Sequence, residues 1–355
     1  MKVGIIGPIW QSIPPQGYGG TELVVYNLVN GLADKGHDVT LFGAKSSKVK
    51  ARVFPTVERP LRDDNVEWTN VAYNLYHITE AFDRAGDFDI LHMHLNKSQD
   101  YFALPLAKYS KTPVIFTIHF QLPNRNTQKD RYQVLMKYKD FAYTSISDSQ
   151  RNNFPLNFVS TVYNALDVSL FPFNKEPEDY FVWLGKINPR KGTKEAILAA
   201  KKAGVVLKVI GAVDPGVPEM LSYYQNEVKP LIDGKQIQWI GEVGIGQKAD
   251  LLGRAKAFLN PIQWEEPYGL VMVEAQVCGT PVISFARGAA PELIKDGLTG
   301  YLVENVDQMV EKMGQINNID RRACRENVED RFSIPAMIDG YEKSYNKAIM
   351  AFKKQ

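Results

Sequence analysis

Glu266 and Glu274 bracket a short apolar segment in 265-EEPYGLVMVEAQVCGTPVIS-284. Gly269 reads as the start of a helix over 270-LVMVEAQVC-278, stopped by Gly279 and Pro281. The amides of Gly269, Leu270 and Val271 then fall in the first turn, where backbone donors lack an intrahelical partner. The helix dipole favours negative charge there, so an oxyanion or phosphate suits the position. Glu274, about a turn further in, can accept hydrogen bonds from the hydroxyls of a sugar. Glu266, in the preceding loop, can meet a second polyol. A packing role alone would leave Glu274 unexplained unless one face of the helix is wet.

Other loops carry residues suited to the same ligand. In 184-LGKINPRKG-192, Lys186, Arg190 and Lys191 lie between a strand and the helix 193-TKEAILAAKKAG-204. Three cations near a helix start suit a diphosphate. A solvated basic turn would use the same residues, but the place after a strand favours the anion. In 16-QGYGGTE-22, Gly17, Gly19 and Gly20 precede a helix and allow close approach of backbone amides to an anion. The loop is neither G-x-G-x-x-G nor a P-loop, and a plain tight turn would look alike. His119 ends 114-VIFTIH-119, where it can touch a ligand or simply satisfy a carbonyl. His92 and His94 share one strand face, but nothing nearby completes a metal set, so no metal site is expected. The pair in 87-DFD-89 precedes a strand, at the end away from the ligand side, and reads as a solvated turn.

These loops need a scaffold. A chain of 355 residues exceeds what one core comfortably holds, so two domains are expected. Apolar runs suited to strands alternate with helix-period segments, the pattern of parallel sheets covered by helices. The first series comprises residues 3–6, 38–43, 89–94, 114–119 and 142–147. The second comprises 181–187, 205–211, 236–241, 256–261, 281–285 and 301–303. Thr21 is read as the N-cap of a helix Glu22–Lys35. The Pro-, acid- and aromatic-rich stretch 163–180 reads as the linker. The expected fold is α/β, two doubly wound Rossmann-like domains facing across a cleft, with ligands beyond the carboxyl ends of the strands. Residues 1–168 with a C-terminal helix 338–355 form one domain, and residues 169–337 the other.

Bulk properties narrow the class. A net charge of +2 gives no footprint for nucleic acid. Two cysteines, Cys278 and Cys324, far apart in sequence, exclude a disulfide framework and fit a reducing, cytoplasmic setting. No apolar run reaches the roughly 18 residues of a membrane span. The start MKVGIIGPIW reads as a first strand rather than a signal peptide. A weak peripheral membrane contact through the basic end of 335-PAMIDGYEKSYNKAIMAFKKQ-355 is compatible with the composition.

Taken together, the motifs resemble the retaining GT4 family of GT-B glycosyltransferases. Glu266-Pro-Tyr-Gly-Leu-Val-Met-Val-Glu274 resembles its E-x7-E motif, continued by 278-CGTPVIS-284 and 288-GAAPELIKDGLTGYLV-303. The segment 182-VWLGKINPRKG-192 is similar to its diphosphate loop, and 17-GYGGTELVVYNLVNGLADKGHDVTLFG-43 and 145-SISDSQR-151 are similar to its N-terminal half. The resemblance implies a nucleotide-sugar donor, UDP- or GDP-linked, held mainly by the C-terminal domain without a metal. Lys186 and Lys191, with Arg190 beside them, would hold the diphosphate, and the amides of Gly269, Leu270 and Val271 would face it. Glu274 would bind the ribose, and Gly241 and Val243 would lie near the base. Glu266 would contact the transferred sugar, with His119 approaching from the other domain. Gly19 and Gly20 would lie near the donor phosphate or the acceptor. Lys186 departs from the Arg often found at its position, which forfeits bidentate phosphate geometry. The acceptor would be a glycan, a lipid-linked glycan or a small metabolite. A GT-B sugar-nucleotide epimerase and a two-domain sugar-binding protein are the rival readings, and the C-terminal helix is expected to cross back to the N-terminal domain.

Overall fold

The computed structural model describes residues 1–17 and 19–354. Contacts divide the chain into two units, Met1–Ala165 with Ile334–Gln355, and Leu166–Ser333.

The first unit holds a seven-stranded sheet. Its strands are β1 (Lys2–Ile6), β2 (Asp38–Ala44), β3 (Arg52–Val57), β4 (Ile90–Leu95), β5 (Val114–Ile118), β6 (Ala142–Ser145) and β7 (Phe158–Thr161). The order is β3-β2-β1-β4-β5-β6-β7, and every pairing is parallel. The near-continuous apolar runs of β1 and β4 follow from burial on both faces, the usual state of a parallel sheet. Ile6, Phe42, Met93, Phe116 and Tyr143 form part of its core. The C-terminal helix Ile334–Phe352 packs on this unit. Tyr345 meets His92 Nδ1 at 2.9 Å, and Tyr341 meets Thr117 Oγ1 at 3.2 Å. Gly31 makes room for it, since a Cβ there would lie 2.7 Å from Ile338.

The second unit holds a six-stranded parallel sheet. Its strands are β8 (Phe181–Leu184), β9 (Leu207–Ile210), β10 (Ile237–Gly241), β11 (Phe258–Asn260), β12 (Val282–Phe285) and β13 (Gly300–Val303). The order is β10-β9-β8-β11-β12-β13. The strand order therefore reverses between β8 and β11. A crevice opens at such a point, beyond the carboxyl ends of the strands, and ligands of open α/β sheets bind there. The first sheet has its equivalent between β1 and β4.

Two features depart from the sequence expectations. The first long helix is Gly20–Asp34, with Gly19 as its N-cap, rather than a helix capped by Thr21. The Thr21 hydroxyl instead donates to Asn96 Oδ1 at 3.0 Å, tying the helix start to the end of β4. Strands β3 and β7 were not foreseen. Both lie at sheet edges, where strands are short and tolerate residues such as Pro55. Among the described residues no helix is long and apolar enough to cross a membrane.

Candidate active site

The loops after β8 and β11 flank the reversal point of the second sheet. After β8, Asn188 caps the short turn Pro189–Lys191, its side chain accepting from the Lys191 amide at 3.1 Å. Trp183 Nε1 donates to the Lys191 carbonyl at 3.1 Å, so the Lys191 backbone is held from two sides. The chain then enters the helix Thr193–Ala203 through Gly192. Gly192 has φ +70, and a Cβ there would lie 1.9 Å from the Pro261 carbonyl oxygen. The two loops thus touch backbone to backbone at a position only glycine fits.

After β11, Gly269 in the left-handed conformation (φ +88) caps the helix Leu270–Val277. This turns the first-turn amides of Leu270 and Val271 away from any intrahelical acceptor. The sequence left open a wet face for this helix, but Met272 through Val277 are all buried, Glu274 included. Glu274 Oε1 is met by Lys248 Nζ at 2.5 Å. Glu266 pairs with Lys191, and both side chains are mostly buried. The Lys191 ammonium also lies 5.5 Å from the Trp264 ring centroid, and the exposed Arg190 guanidinium lies 5.8 Å from it. A cavity of about 350 Å³ opens beside this group, lined by Asn188, Arg190, Lys191, Glu219, Met220 and Trp264. A larger hollow of about 490 Å³, lined by Lys256, Pro281 and Arg321, lies at the amino ends of β11 and β12, away from these loops.

The loop 286–289 after β12 braces Glu266. The Gly288 amide donates to Glu265 Oε2 at 2.7 Å, and the Ala289 amide to the Glu266 carbonyl at 2.9 Å. Gly288 has φ +55, and a Cβ there would sit 2.3 Å from the Glu266 oxygen. Gly288→Ala is therefore expected to displace Glu266 and lower turnover by roughly tenfold or more, since misplacement of about 1 Å can cost 100-fold. Full activity in that variant would show that the brace is irrelevant.

The family described as "Glycosyl transferases group 1" matches residues 169–331, and "Glycosyltransferase Family 4" matches residues 18–167. The chain belongs to glycosyltransferase family 4 and has the GT-B fold. Phosphatidyl-myo-inositol mannosyltransferase of Mycolicibacterium smegmatis is 23% identical over 85% of this chain and 81% of that protein. Sucrose-phosphate synthase of Thermosynechococcus elongatus superposes with a TM-score of 0.77 at 18% identity, covering 99% of each chain. HepE of Anabaena, solved with UDP-glucose, gives a TM-score of 0.72 at 15% identity, covering 98% of this chain and 100% of that one. The protein is a glycosyltransferase.

In this GT-B enzyme the second unit brings together Lys191, Arg190, Glu266, Gly269, Leu270, Val271 and Glu274. Lys186 follows β8 on the same loop and is partly exposed. Gly241 (φ +84) ends β10, and Val243 follows it before the helix Ile245–Arg254. Gly19, Gly20 and His119 belong to the first unit, at the carboxyl ends of β1 and β5. Tyr18, in the same glycine loop, lies outside the described residues. His119 Nε2 is 2.8 Å from His94 Nδ1, and the two rings stack. Burial pushes His119 down to about 3, so the ring is neutral near pH 7 and acts as a hydrogen-bonding group. Among the described residues no cluster of His, Cys, Asp or Glu could hold a metal ion. Asp89 accepts from the Lys2 amide at 2.7 Å, at the amino ends of the strands.

Lys248 is the residue that sequence reasoning missed. It lies on the helix Ile245–Arg254 among exposed polar neighbours, and only its buried partner marks it out. Cys278 is close to this pair. Burial, with Glu274 nearby, pushes its thiol up to about 12, so it is an inert neighbour.

Proposed function

We propose that the enzyme transfers a hexosyl unit from a nucleotide-diphosphate sugar, UDP- or GDP-linked, to a hydroxyl acceptor in glycan or glycoconjugate synthesis. The transfer retains anomeric configuration and needs no metal. One observation supports this above the others. A helix start with open amides lies between two mostly buried glutamates at the reversal point of the second sheet, with Lys186 and Lys191 on the adjoining loop. That HepE was solved with UDP-glucose agrees with this reading.

On this reading the amides of Gly269, Leu270 and Val271 and the cations Lys186 and Lys191 receive the diphosphate, with Arg190 at its edge. Glu274 accepts from the ribose hydroxyls, and the Gly241–Val243 turn flanks the base. Glu266 orients the hexose. The bond between the anomeric carbon and the diphosphate oxygen breaks, giving the sugar oxocarbenium character and the diphosphate extra negative charge. Fixed cations and amides stabilise that charge in place. The acceptor oxygen bonds to the anomeric carbon from the same face, and its proton passes to the departing diphosphate oxygen.

A thermal-shift panel tests the donor site. UDP, GDP, ADP and their hexose conjugates are added in EDTA, then with magnesium. A ligand at a hundredfold excess over its Kd stabilises the folded state by about 2.7 kcal/mol. One base should raise Tm in EDTA. No shift with any of them would sink the donor-site reading.

A further inference from the structure

Glu274 does not stand alone in its buried position. Lys248 projects from the helix Ile245–Arg254, which packs against the helix Leu270–Val277 that carries Glu274. Its ammonium is 2.5 Å from Glu274 Oε1, with side-chain exposures of 21% and 7%. A carboxylate so removed from water is costly to bury without a counter-charge. Among the described residues Lys248 is the one cation paired with it. The Phe171 ring lies 5.7 Å from the ammonium and walls that flank with apolar surface. Glu274 Oε2 has no hydrogen-bond partner among the described residues. One oxygen is thus anchored and the other open, which fixes the rotation of the carboxylate. Helix Ile245–Arg254 also follows directly on the Gly241–Val243 turn proposed to flank the base.

We propose that Lys248 is a positioning residue for the nucleotide ribose. It anchors Oε1 of Glu274 and aims the carboxylate so that Oε2 accepts from the vicinal ribose hydroxyls. This rests on the donor-site reading above, which places the ribose at Glu274. Lys248 itself need not touch the diphosphate, so its effect is confined to the ribose.

The test compares a nucleoside diphosphate with its 2′,3′-dideoxy analogue on the full chain by titration calorimetry. UDP, GDP and ADP pairs are used, and the pair that binds most tightly is carried forward. Hydrogen bonds to a charged group correspond to about tenfold or more in affinity, so the parent should prefer the ribonucleotide by at least that. Lys248→Met should cut the preference to a few-fold and leave the dideoxy affinity unchanged. Lys248→Arg should restore it, because a guanidinium keeps the charge. The dideoxy affinity reports that the site is still folded.

Undiminished preference in Lys248→Met would overturn the proposal. Equal weakening of both ligands would also overturn it, since that marks a general field or packing effect. A parent that binds both nucleotides equally removes the ribose role of Glu274 and this proposal with it, while leaving a diphosphate site. A parent that binds no nucleotide fails at the earlier step, and the donor-site reading falls first.

Discussion

Lys191→Ala is expected to lower turnover by about 100- to 1000-fold, the range seen when one preorganised donor to a developing anion is removed. The magnitude follows from where the ammonium sits. Its backbone is held by Asn188 and Trp183, and its side chain is mostly buried over Trp264. In the structure it is paired with Glu266. An incoming diphosphate must share or replace that carboxylate. The ammonium then lies against a group whose charge grows as the glycosidic bond breaks. An interaction that strengthens along the reaction lowers the barrier more than it tightens ground-state binding. The expected signature is a fall in kcat with a much smaller change in donor Kd, measured by nucleoside diphosphate release and by calorimetry. A Glu266→Gln variant separates the two halves of the pair. Combined with Lys191→Ala it should be far less than additive, because both changes act on one unit. A turnover within threefold of the parent for Lys191→Ala would remove leaving-group stabilisation from this lysine.

What the sequence makes legible, and what it hides, divides along physical lines. Glycines before helices, cations after strands and a glutamate inside an apolar helix are local signals, because each residue type conflicts with its immediate neighbours. Lys191, Glu266 and Glu274 are visible for that reason. The pairing of Lys191 with Glu266 spans 75 positions, and that of Lys248 with Glu274 spans 26. No local conflict announces such pairs. Lys248 reads as an ordinary surface lysine beside Asp250, and only the packing of its helix against the next one removes it from water. Likewise the wet face allowed for Leu270–Val277 is absent, because the partly buried Lys248 supplies the charge that solvent would have supplied. Edge strand β3 hid behind Pro55, which an interior strand would not tolerate. His92 and His94 were correctly placed on one strand face. Their use as hydrogen-bonding partners in the core, to Tyr345, Thr117 and His119, depends on elements up to 253 residues away.

Those histidines lead to the last expectation, that the first unit loses stability steeply as pH falls below about 6.5 while the second does not. All five histidines of the chain lie in the first unit. Burial pushes His77 down to about 4, His92 down to about 3 and His94 well below its ordinary value. His119 is lowered as well, although its ring is partly exposed and its share is smaller. The folded state therefore refuses protons that the unfolded chain accepts from about pH 6.5 downward. The unfolded state binds more protons in that window, so stability rises with pH and is lost on acidification. At pH 5 each fully buried histidine costs about 2 kcal/mol, from about 1.5 pH units at 1.36 kcal/mol each. His77 and His92 together cost about 4 kcal/mol on that basis, and His94 acts in the same direction. Asp100 works the other way. Burial raises it to about 6, so it takes up a proton in the folded state and returns about 1.4 kcal/mol between pH 6 and 5. The net loss of about 3 kcal/mol or more is a large share of the 5 to 15 typical of a domain. It should lower Tm of the first unit by roughly 6 °C or more. The strain falls where His92 meets Tyr345 and Thr117, so the C-terminal helix should loosen with it. Calorimetry at pH 7.5, 6 and 5 checks this, with His92→Gln expected to flatten the dependence. Two transitions that move together with pH, or a His92→Gln slope equal to the parent's, would mean that the buried histidines do not set the acid limit of the fold.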